Sequence, residues 1–257
     1  MSFRHLILIL FLSLTATIVK AQIIDPEPVS GKTFTRNFIN RSLVYPDQDL
    51  KDKRNGKVTV SFHIDENGNT SHFSADTTIS KEASNNAIEL VRKIEWKPAS
   101  KDGEAVATDY QYEIVFNAKI YKHSIKKRVS LPLTYSADTS FKVYDNRQTE
   151  EWAYPYFENG ENLATYIMNS MEYPVEAKQR EITGNVKLSF IVETDGNVSN
   201  ITIIDHVGGG CDNEAIRLIE NTRWIPAVKN GQYVRARVKQ DVTFGIGSHN
   251  FIDGNNY

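Results

Sequence analysis

Cysteine is nearly absent from this sequence, since Cys211 is the only one among 257 residues. A single thiol cannot form an intramolecular disulfide, so packing and hydrogen bonds must hold the fold together. The six histidines are dispersed along the chain without the spacing of metal ligands. We therefore predict no metal site and no cofactor.

The chain also lacks an excess of charge of either sign. It carries 30 Lys and Arg residues against 32 Asp and Glu residues, which gives a formal net charge of −2. Near-neutral charge argues against a general binder of nucleic acids or of anionic membranes. The acidic residues are spread over predicted turns and solvent faces, so no pair is a candidate for general acid–base catalysis. We predict no catalytic residue, no enzyme activity and no small-molecule substrate.

Long hydrophobic runs are missing as well, apart from one at the N-terminus. Basic residues precede an apolar run over residues 6–19, about 14 residues against the roughly 20 that a membrane-spanning helix needs. A small-residue cleavage pattern follows and ends at Ala21. We predict a cleaved signal peptide over residues 1–21 and export out of the cytoplasm. The alternative is an uncleaved segment that anchors the protein in a membrane.

What the sequence does contain is a second copy of itself at a constant offset, which aligns Tyr45 with Tyr173 and Phe116 with Phe244. Of the 72 positions in residues 45–116, 20 are identical to their counterparts in residues 173–244, without a gap. The identical residues are mostly turn glycines, prolines and large aromatics, which fix a backbone path and a core. They include Tyr45-Pro46, Gly56, Ser61-Phe62, Gly68-Asn69, Trp96, Pro98-Ala99, Gly103 and Phe116. An internal duplication of one small module explains this pattern.

Each copy follows the order helix, strand, strand, helix, strand. Alternating apolar residues predict strands, and apolar residues three or four apart predict helices. In the first copy we predict helices over 35–43 and 80–94 and strands over 56–64, about 70–75 and 105–120. In the second copy we predict helices over 163–171 and 212–222, the latter capped by Asp212, and strands over 186–192, 198–205 and 234–246. The fold class is therefore α+β, with two tandem modules that are each an antiparallel sheet of about three strands packed by helices.

The duplication divides the chain into five parts. Residues 1–21 are the signal peptide, 22–121 the first module, 122–151 a linker, 152–250 the second module and 251–257 a tail. The linker matches neither copy, and its polar character predicts an exposed connection with an optional extra strand over 129–135.

Three residues of the repeat invite a functional interpretation as well as a structural one. Trp96 and Trp224 occupy the same place beside Pro-Ala in both copies, so we assign them to the core rather than to a ligand platform. Cys211 stands at a predicted helix start, where a thiol is acidified. Because Cys211 aligns with Ala83, we favour a small buried residue over a reactive thiolate.

The second copy resembles the C-terminal domain of the TonB energy-transducer family, in the form common in Bacteroidota. The resemblance covers residues 155–247 well and residues 27–119 less well, so it includes most of the chain. No single motif is specific for the family, but the complete series of motifs is specific when it occurs twice in one chain. The residues that carry it are Tyr173-Pro174, Gly184, Phe190, Gly196, Gly210-Cys211-Asp212, Trp224-Ile225-Pro226-Ala227, Gly231 and Phe244.

The resemblance implies a periplasmic module whose sheet edge captures the short TonB-box strand of outer-membrane receptors. An unpaired edge is a template for strand addition, in which backbone bonds give affinity and alternate side chains give selectivity. The last predicted strand is longer than its hairpin partners, so part of its backbone should lack a mate. We therefore predict the partner-binding edge at Val234, Arg235, Ala236, Arg237, Val238, Lys239, Gln240 and Asp241. There the row Arg235, Arg237 and Lys239 either selects an acidic peptide or is an ordinary solvated face.

The sequence departs from the family in its connections. A TonB transducer keeps an N-terminal helix in the inner membrane and spans the periplasm with a long segment rich in Pro and Lys, whereas the eight prolines here are scattered. Without residues 1–21 the chain cannot transmit force from the inner membrane, so we predict a binder, adaptor or competitor. Three alternatives stay open: an anchored transducer, a structural homodimer or larger oligomer whose free edges pair, and a hydrolase. A hydrolase would need a pocket with converging polar groups, and we predict none.

The first copy also departs from the family at the predicted binding edge. Lys81-Glu82-Ala83-Ser84 replaces the Gly-Cys-Asp stretch, and Thr108-Asp109 stands where the second copy has Ala236-Arg237. We expect the first copy to keep the fold without the binding function.

Overall fold

The computed structural model describes residues 23–126 and 128–245. The predicted signal peptide and tail lie outside these residues, as does the predicted end of the last strand at Ile246. Within them the chain forms two tandem α+β modules, which confirms the predicted fold class. No helix in the described ranges is both long enough and apolar enough to cross a membrane.

The first module combines helices with an antiparallel three-stranded sheet. Its helices are α1 (Gly31–Ser42), α2 (Asp47–Lys51), α3 (Lys81–Arg92) and α4 (Ala118–Ile125). Its strands are β1 (Ile23–Ile24), β2 (Glu27–Pro28), β3 (Gly56–Ile64), β4 (Thr70–Thr77), β5 (Trp96–Lys97), β6 (Ala99–Lys101), β7 (Glu104–Val106) and β8 (Thr108–Phe116). The sheet has the order β4-β3-β8, and α3 packs against β3 and β4. Helix α1 contributes Phe34 and Phe38 to the hydrophobic core. The short strands pair among themselves, β2 with β5 and β6 with both β1 and β7.

The linker carries regular structure. It supplies β9 (Ser136–Ala137), β10 (Val143–Asp145) and a 3-10 turn at Asn146–Gln148. The optional strand over 129–135 is wrong, because both linker strands lie further along the chain and join the sheet of the second module. Periodicity misses them because two or three residues are too few to show an alternation.

The second module repeats the architecture of the first. Its helices are α5 (Leu163–Ser170), α6 (Val175–Gln179) and α7 (Cys211–Glu220). Its strands are β11 (Tyr154–Tyr156), β12 (Gly184–Val192), β13 (Val198–Asp205), β14 (Arg223–Ile225), β15 (Ala227–Lys229) and β16 (Gln232–Phe244). The central sheet has the order β13-β12-β16, while β11 pairs with β14 and β15 forms a hairpin with β16.

Two predicted element ends are wrong: the end of the third strand of the first module and the start of the last helix of the second module. The third strand of the first module stops at Phe116, since the Asn117 side chain accepts hydrogen bonds from the N–H groups of Lys119 and Ile120 and starts α4. Helix α7 has Gly210 rather than Asp212 at its N-cap position. Gly210 holds a φ of 90°, a conformation that glycine adopts without strain.

The aromatic cores of the two modules are built in the same way. Ring centroids of Phe62 and Trp96 lie 5.2 Å apart, and those of Phe190 and Trp224 also lie 5.2 Å apart. The exposed fractions of Trp96 and Trp224 are 4% and 2%, which confirms their assignment to the core. Close aromatic pairs add to the stability that burial supplies.

The tyrosine of each Tyr-Pro pair is anchored in the same way. The phenol of Tyr45 donates to the carbonyl of Arg54, and the phenol of Tyr173 donates to the carbonyl of Ile182 at 2.6 Å. The acceptors Arg54 and Ile182 themselves occupy equivalent positions of the repeat. Desolvation by burial raises the pKa of both phenols, so they remain donors at neutral pH. The duplication therefore preserves internal contacts as well as element order.

Candidate functional site: the outer edge of the last strand

The last strand of the second module, β16, is paired along one edge by two different strands. Residues 236–244 pair with β12, and residues 232–234 pair with β15. The expectation that the overhang of this strand lacks a mate is therefore wrong. The chain folds back through Asn230-Gly231, both at positive φ, and β15 covers the overhang.

The opposite edge of β16 carries strands from the linker. Strand β10 pairs in parallel with residues 235–237, and Ala236 and Arg237 therefore have β12 on one side and β10 on the other. Strand β9 pairs in parallel with residues 232–233, opposite to β15. Beyond Arg237, residues 238–244 pair with β12 alone in the part of the chain that the structure describes. We call this side of β16 the outer edge.

The equivalent strand of the first module has no such cover within the described parts of the chain. Strand β8 pairs with β3 along all 9 of its residues, in the same register as β16 with β12. Among the described residues no strand lies on its other edge. The backbone of β8 therefore presents an edge that a strand of another chain can extend.

The predicted site residues divide between core and surface along β16. Val234, Ala236 and Val238 point into the core and are buried. Gln240 and Asp241 are half-buried, and Lys239 is exposed. Of the predicted cationic row, only Lys239 is an ordinary solvated side chain.

Arg235 is buried, so its prediction as a selective or solvated surface residue is wrong. Its exposed fraction is 6%, and its guanidinium forms a two-fold ion pair with Glu193, with both N···O distances 2.8 Å. It also donates to the carbonyl of Phe141 in the linker at 2.8 Å and to the carbonyl of Lys93 in the first module at 2.9 Å. One side chain thus joins the two modules and the linker.

The first module docks on this face of the second through the C-terminal end of α3. The side chain of Asn200 donates to the carbonyl of Lys93 and accepts from the N–H of Glu95, both at 2.7 Å. Glu95 also forms an ion pair with Arg237. These contacts cover the face of β16 that the sequence pattern assigned to solvent. An alternating pattern shows which side chains share a face of the sheet, but it does not show that the end of α3 packs on that face.

Glu193 and Asn200 are functional residues of this interface that sequence reasoning missed. Glu193 is fully buried and also accepts from the hydroxyl of Ser199, and Asn200 is 4% exposed. Both lie beside a hairpin turn, where polar residues are expected to be solvated. A departure between the copies could have found Asn200, since His72 occupies its position in the first copy. Glu193 gives no such signal, because its counterpart, Asp65, is also acidic.

In a comparison with known protein families, both modules match the same family. Residues 41–118 and residues 169–246 each match the family described as Gram-negative bacterial TonB protein C-terminal, and together they span more than half of the chain. The chain belongs to the TonB C-terminal family. It carries the domain as a tandem duplication. No match is found among curated proteins.

In this TonB C-terminal pair, the start of α7 holds a structural rather than a reactive thiol. Cys211 is fully buried, and burial followed by the charge of Asp212 raises the pKa of its thiol. Asp212 accepts from the N–H groups of Val207 and Gly208 and bonds to His206, so it closes the loop before the helix. The interpretation of Cys211 as a small buried residue is confirmed.

The geometry of the TonB C-terminal sheets favours backbone recognition over a cavity. An open depression of about 260 Å³ lies where β10 meets β16 and is lined by Val143, Tyr144, Asp145 and Arg237. Domains of this family serve protein interactions linked to transport in the Gram-negative envelope. An edge that binds strands fits that role.

Proposed function

We propose that this protein is an exported, non-enzymatic binding protein of the periplasm that captures extended segments of other envelope proteins. TonB-box segments of outer-membrane receptors are the partners that the family favours. The site is the outer edge of β16 over residues 234–241, and binding adds a strand to the sheet. The role is an adaptor or competitor in outer-membrane transport.

One observation carries this proposal: the outer edge already holds an added strand. Strand β10 comes from outside both repeats and pairs in parallel with residues 235–237. An edge that accepts one extended segment has the twist and the accessible backbone groups to accept another. Next to β10, residues 238–244 offer further backbone that no strand among the described residues pairs on the same side.

The orientation of the backbone decides which variants test this edge. The carbonyl of Tyr233 accepts from Asp138 of the linker at 2.8 Å, so it points to the outer edge. Backbone groups of alternate residues in a strand point to the same edge. The N–H of Lys239 therefore faces a captured segment, and its counterpart in the repeat of the first module is Gln111.

The test is calorimetric titration of the chain from Gln22 onward with TonB-box peptides from receptors of the same cell. Lys239→Pro removes the outward donor and should weaken binding at least tenfold, which is about 1.4 kcal/mol. Lys239→Ala keeps the donor and should bind like the unchanged chain, as should Gln111→Pro. Loss of binding in Gln111→Pro alone would move the site to the first module. Binding of no peptide by any form would refute receptor capture.

The edge of β8 that no described strand pairs favours a second candidate, a homo-oligomer in which the first modules of two copies pair. Mass by light scattering tests it. A dimer that Gln111→Pro dissociates would establish edge pairing, and a monomer at all concentrations would exclude it. Mapping the N-terminus of the exported protein separates a cleaved binding protein from an anchored transducer.

A further inference from the structure

The outer edge of β16 is occupied by a segment of the same chain, and the first module contacts that segment. We propose that β10 is a built-in competitor for the outer edge, held in place by the first module and displaced when a partner strand binds. This inference rests on the proposed function, because it concerns the regulation of the same edge.

The ladder that holds β10 is short. It comprises the three residue pairs Val143–Arg235, Tyr144–Ala236 and Asp145–Arg237. Val143 and Tyr144 are half-buried, and Asp145 is exposed. A partner strand can reach residues 238–244 without disturbing β10 and then extend along residues 235–237 as β10 leaves. Such stepwise exchange needs no opening of the sheet core.

The chain just before β10 is bound by residues outside the ladder. Phe141 has a φ of 60°, which is strained for a bulky side chain, so a contact must hold it there. Its carbonyl accepts from Arg235, and its ring centroid lies 5.6 Å from the guanidinium carbon of Arg92 on α3. Arg92 also lies over the ring of Phe73, at 4.9 Å. Release of β10 relieves the strain at Phe141 and removes its contact with the first module.

Arg235 couples the occupation of the edge to the docking of the modules. Its guanidinium donates to Phe141 in the linker, to Lys93 in the first module and to Glu193 beside it. When β10 leaves, one donor of a buried guanidinium loses its acceptor, which disfavours the docked arrangement. By linkage, firm docking of the first module must then hold β10 in place and weaken partner binding by the same factor.

The experiment uses the chain's own segment as the probe, a fluorescent peptide of residues 136–147, and measures its binding by anisotropy. An open variant replaces residues 142–145 by glycine, which keeps the linker length and removes the side chains of β10. A locked variant carries Asp145→Cys and Arg237→Cys, a directly opposed pair. Neighbouring strands lie within disulfide range, and Cys211 is too deeply buried to compete.

The open variant should bind the peptide at least tenfold more tightly than the unchanged chain. The locked variant should fail to bind when oxidised and recover binding when reduced, so that it serves as its own control. Hydrogen exchange of the amides in residues 238–244 checks that the sheet of each variant is intact. Equal binding by the open variant and the unchanged chain, or by the oxidised and reduced forms, would overturn the proposal.

The contribution of the first module is tested by Arg92→Ala, which leaves the edge itself unchanged. It should tighten peptide binding a few-fold, with Arg92→Lys giving a smaller effect and the exposed Arg180→Ala none. No change in Arg92→Ala would show that α3 does not hold β10.

The two proposals fail separately. If no TonB-box peptide binds, the linker peptide still reports whether β10 competes for the edge. If a TonB-box peptide binds the oxidised and reduced locked forms equally, strand capture stands and the competitor is refuted.

Discussion

The cores of the two modules are built from equivalent contacts, whereas their surfaces differ. Their aromatic contacts recur at equivalent positions of the repeat, down to the carbonyl that each Tyr-Pro tyrosine bonds. In the first module the outer sheet face carries an exposed pair, His63 with Asp109 at 2.9 Å. In the second module the same face carries the buried pair of Arg235 with Glu193. After the duplication, the core contacts that each module needs to fold were kept, while the outer sheet face and the edge of the last strand diverged.

Because of this difference, only the second module can receive the other module on its outer sheet face. Arg235 and Asn200 receive the end of α3, whereas Ala107 and His72 at the equivalent positions of the first module offer no such partners. A third module could not dock on the first by the same contacts. The comparison also reverses one expectation: the second module, predicted to bind, has its edge partly filled, while the first module keeps its edge unpaired in the described chain.

The largest expected effect comes from breaking the buried pair of the second module. Arg235→Ala removes the two-fold partner of Glu193 and leaves that buried carboxylate, among the described residues, with only Lys93, at 3.9 Å, and the hydroxyl of Ser199. We expect a loss of about 3 kcal/mol in unfolding free energy. In the first module, Asp109→Ala removes an exposed partner and should change stability by less than about 0.5 kcal/mol. Urea unfolding of both variants measures the contrast.

The double variant Arg235→Met and Glu193→Leu separates charge burial from lost packing. It should recover most of the stability, since apolar residues often replace a buried ion pair without loss. A loss in Arg235→Ala no larger than in Asp109→Ala would contradict the interface described above.

A smaller effect, present in both modules, is expected at the hairpin glycines. Gly68 and Gly196 have φ values of 84° and 74°, and a Cβ at either would lie 2.2 Å from the carbonyl oxygen of Trp96 or 2.3 Å from that of Trp224. Gly68→Ala and Gly196→Ala should each cost about 1–3 kcal/mol, because strain adds to the clash. Urea unfolding measures both losses.

Gly103→Ala is the matched control for the glycine pair, since its φ of 90° is similar and nothing lies within 4 Å of its added Cβ. It should cost less than either hairpin variant. At Gly196 the added Cβ also lies 2.2 Å from Cδ1 of Leu131 in the linker, a contact that Gly68 lacks. A clearly larger loss in Gly68→Ala than in Gly196→Ala would therefore show that the hairpin contacts are not equivalent in the two modules.

The smallest expected effect is a pH dependence from Asp212, a carboxylate that the first module lacks at the equivalent position. Burial by itself raises the pKa of Asp212, but hydrogen bonds from Val207, His206 and Gly208 outweigh it and lower the pKa below the ordinary value. The stability that this carboxylate contributes is therefore fully present above the pKa of unfolded aspartate, about 3.9, and is lost as the pH falls through the folded pKa. The first module has Ser84 at this position.

Unfolding free energies from pH 6 down to the acid limit check this. The unchanged chain should lose more stability below about pH 4 than Asp212→Asn does. Parallel curves for the two proteins would show that Asp212 does not contribute in this way.

Local pattern predicted the long elements well. The first predicted strand coincides with β3 (Gly56–Ile64), and the predicted strand over 198–205 coincides with β13 (Val198–Asp205). Both are long enough for an alternation to be visible and end at strong turn residues. Shorter elements failed, as β9 and β10 show, because their pairing comes from β16 rather than from their own residues.

The prediction of the candidate site shows the same contrast between local pattern and distant contacts. The sequence predicted the strand β16 itself, because its length and its place in the repeat are local facts, while its role as the binding edge stays a prediction. It misassigned Arg235, since the burial of that side chain depends on α3, Phe141 and Glu193, which are 142, 94 and 42 residues away.

By itself, the sequence of this protein determined two modules, their α+β order and their aromatic cores, because periodicity, turn residues and a repeat act over short distances. Only the tertiary structure decided which edges are covered and which face is shared. Those properties depend on how one module packs against the other, and the polar residues that create the contact look the same in sequence as residues in water.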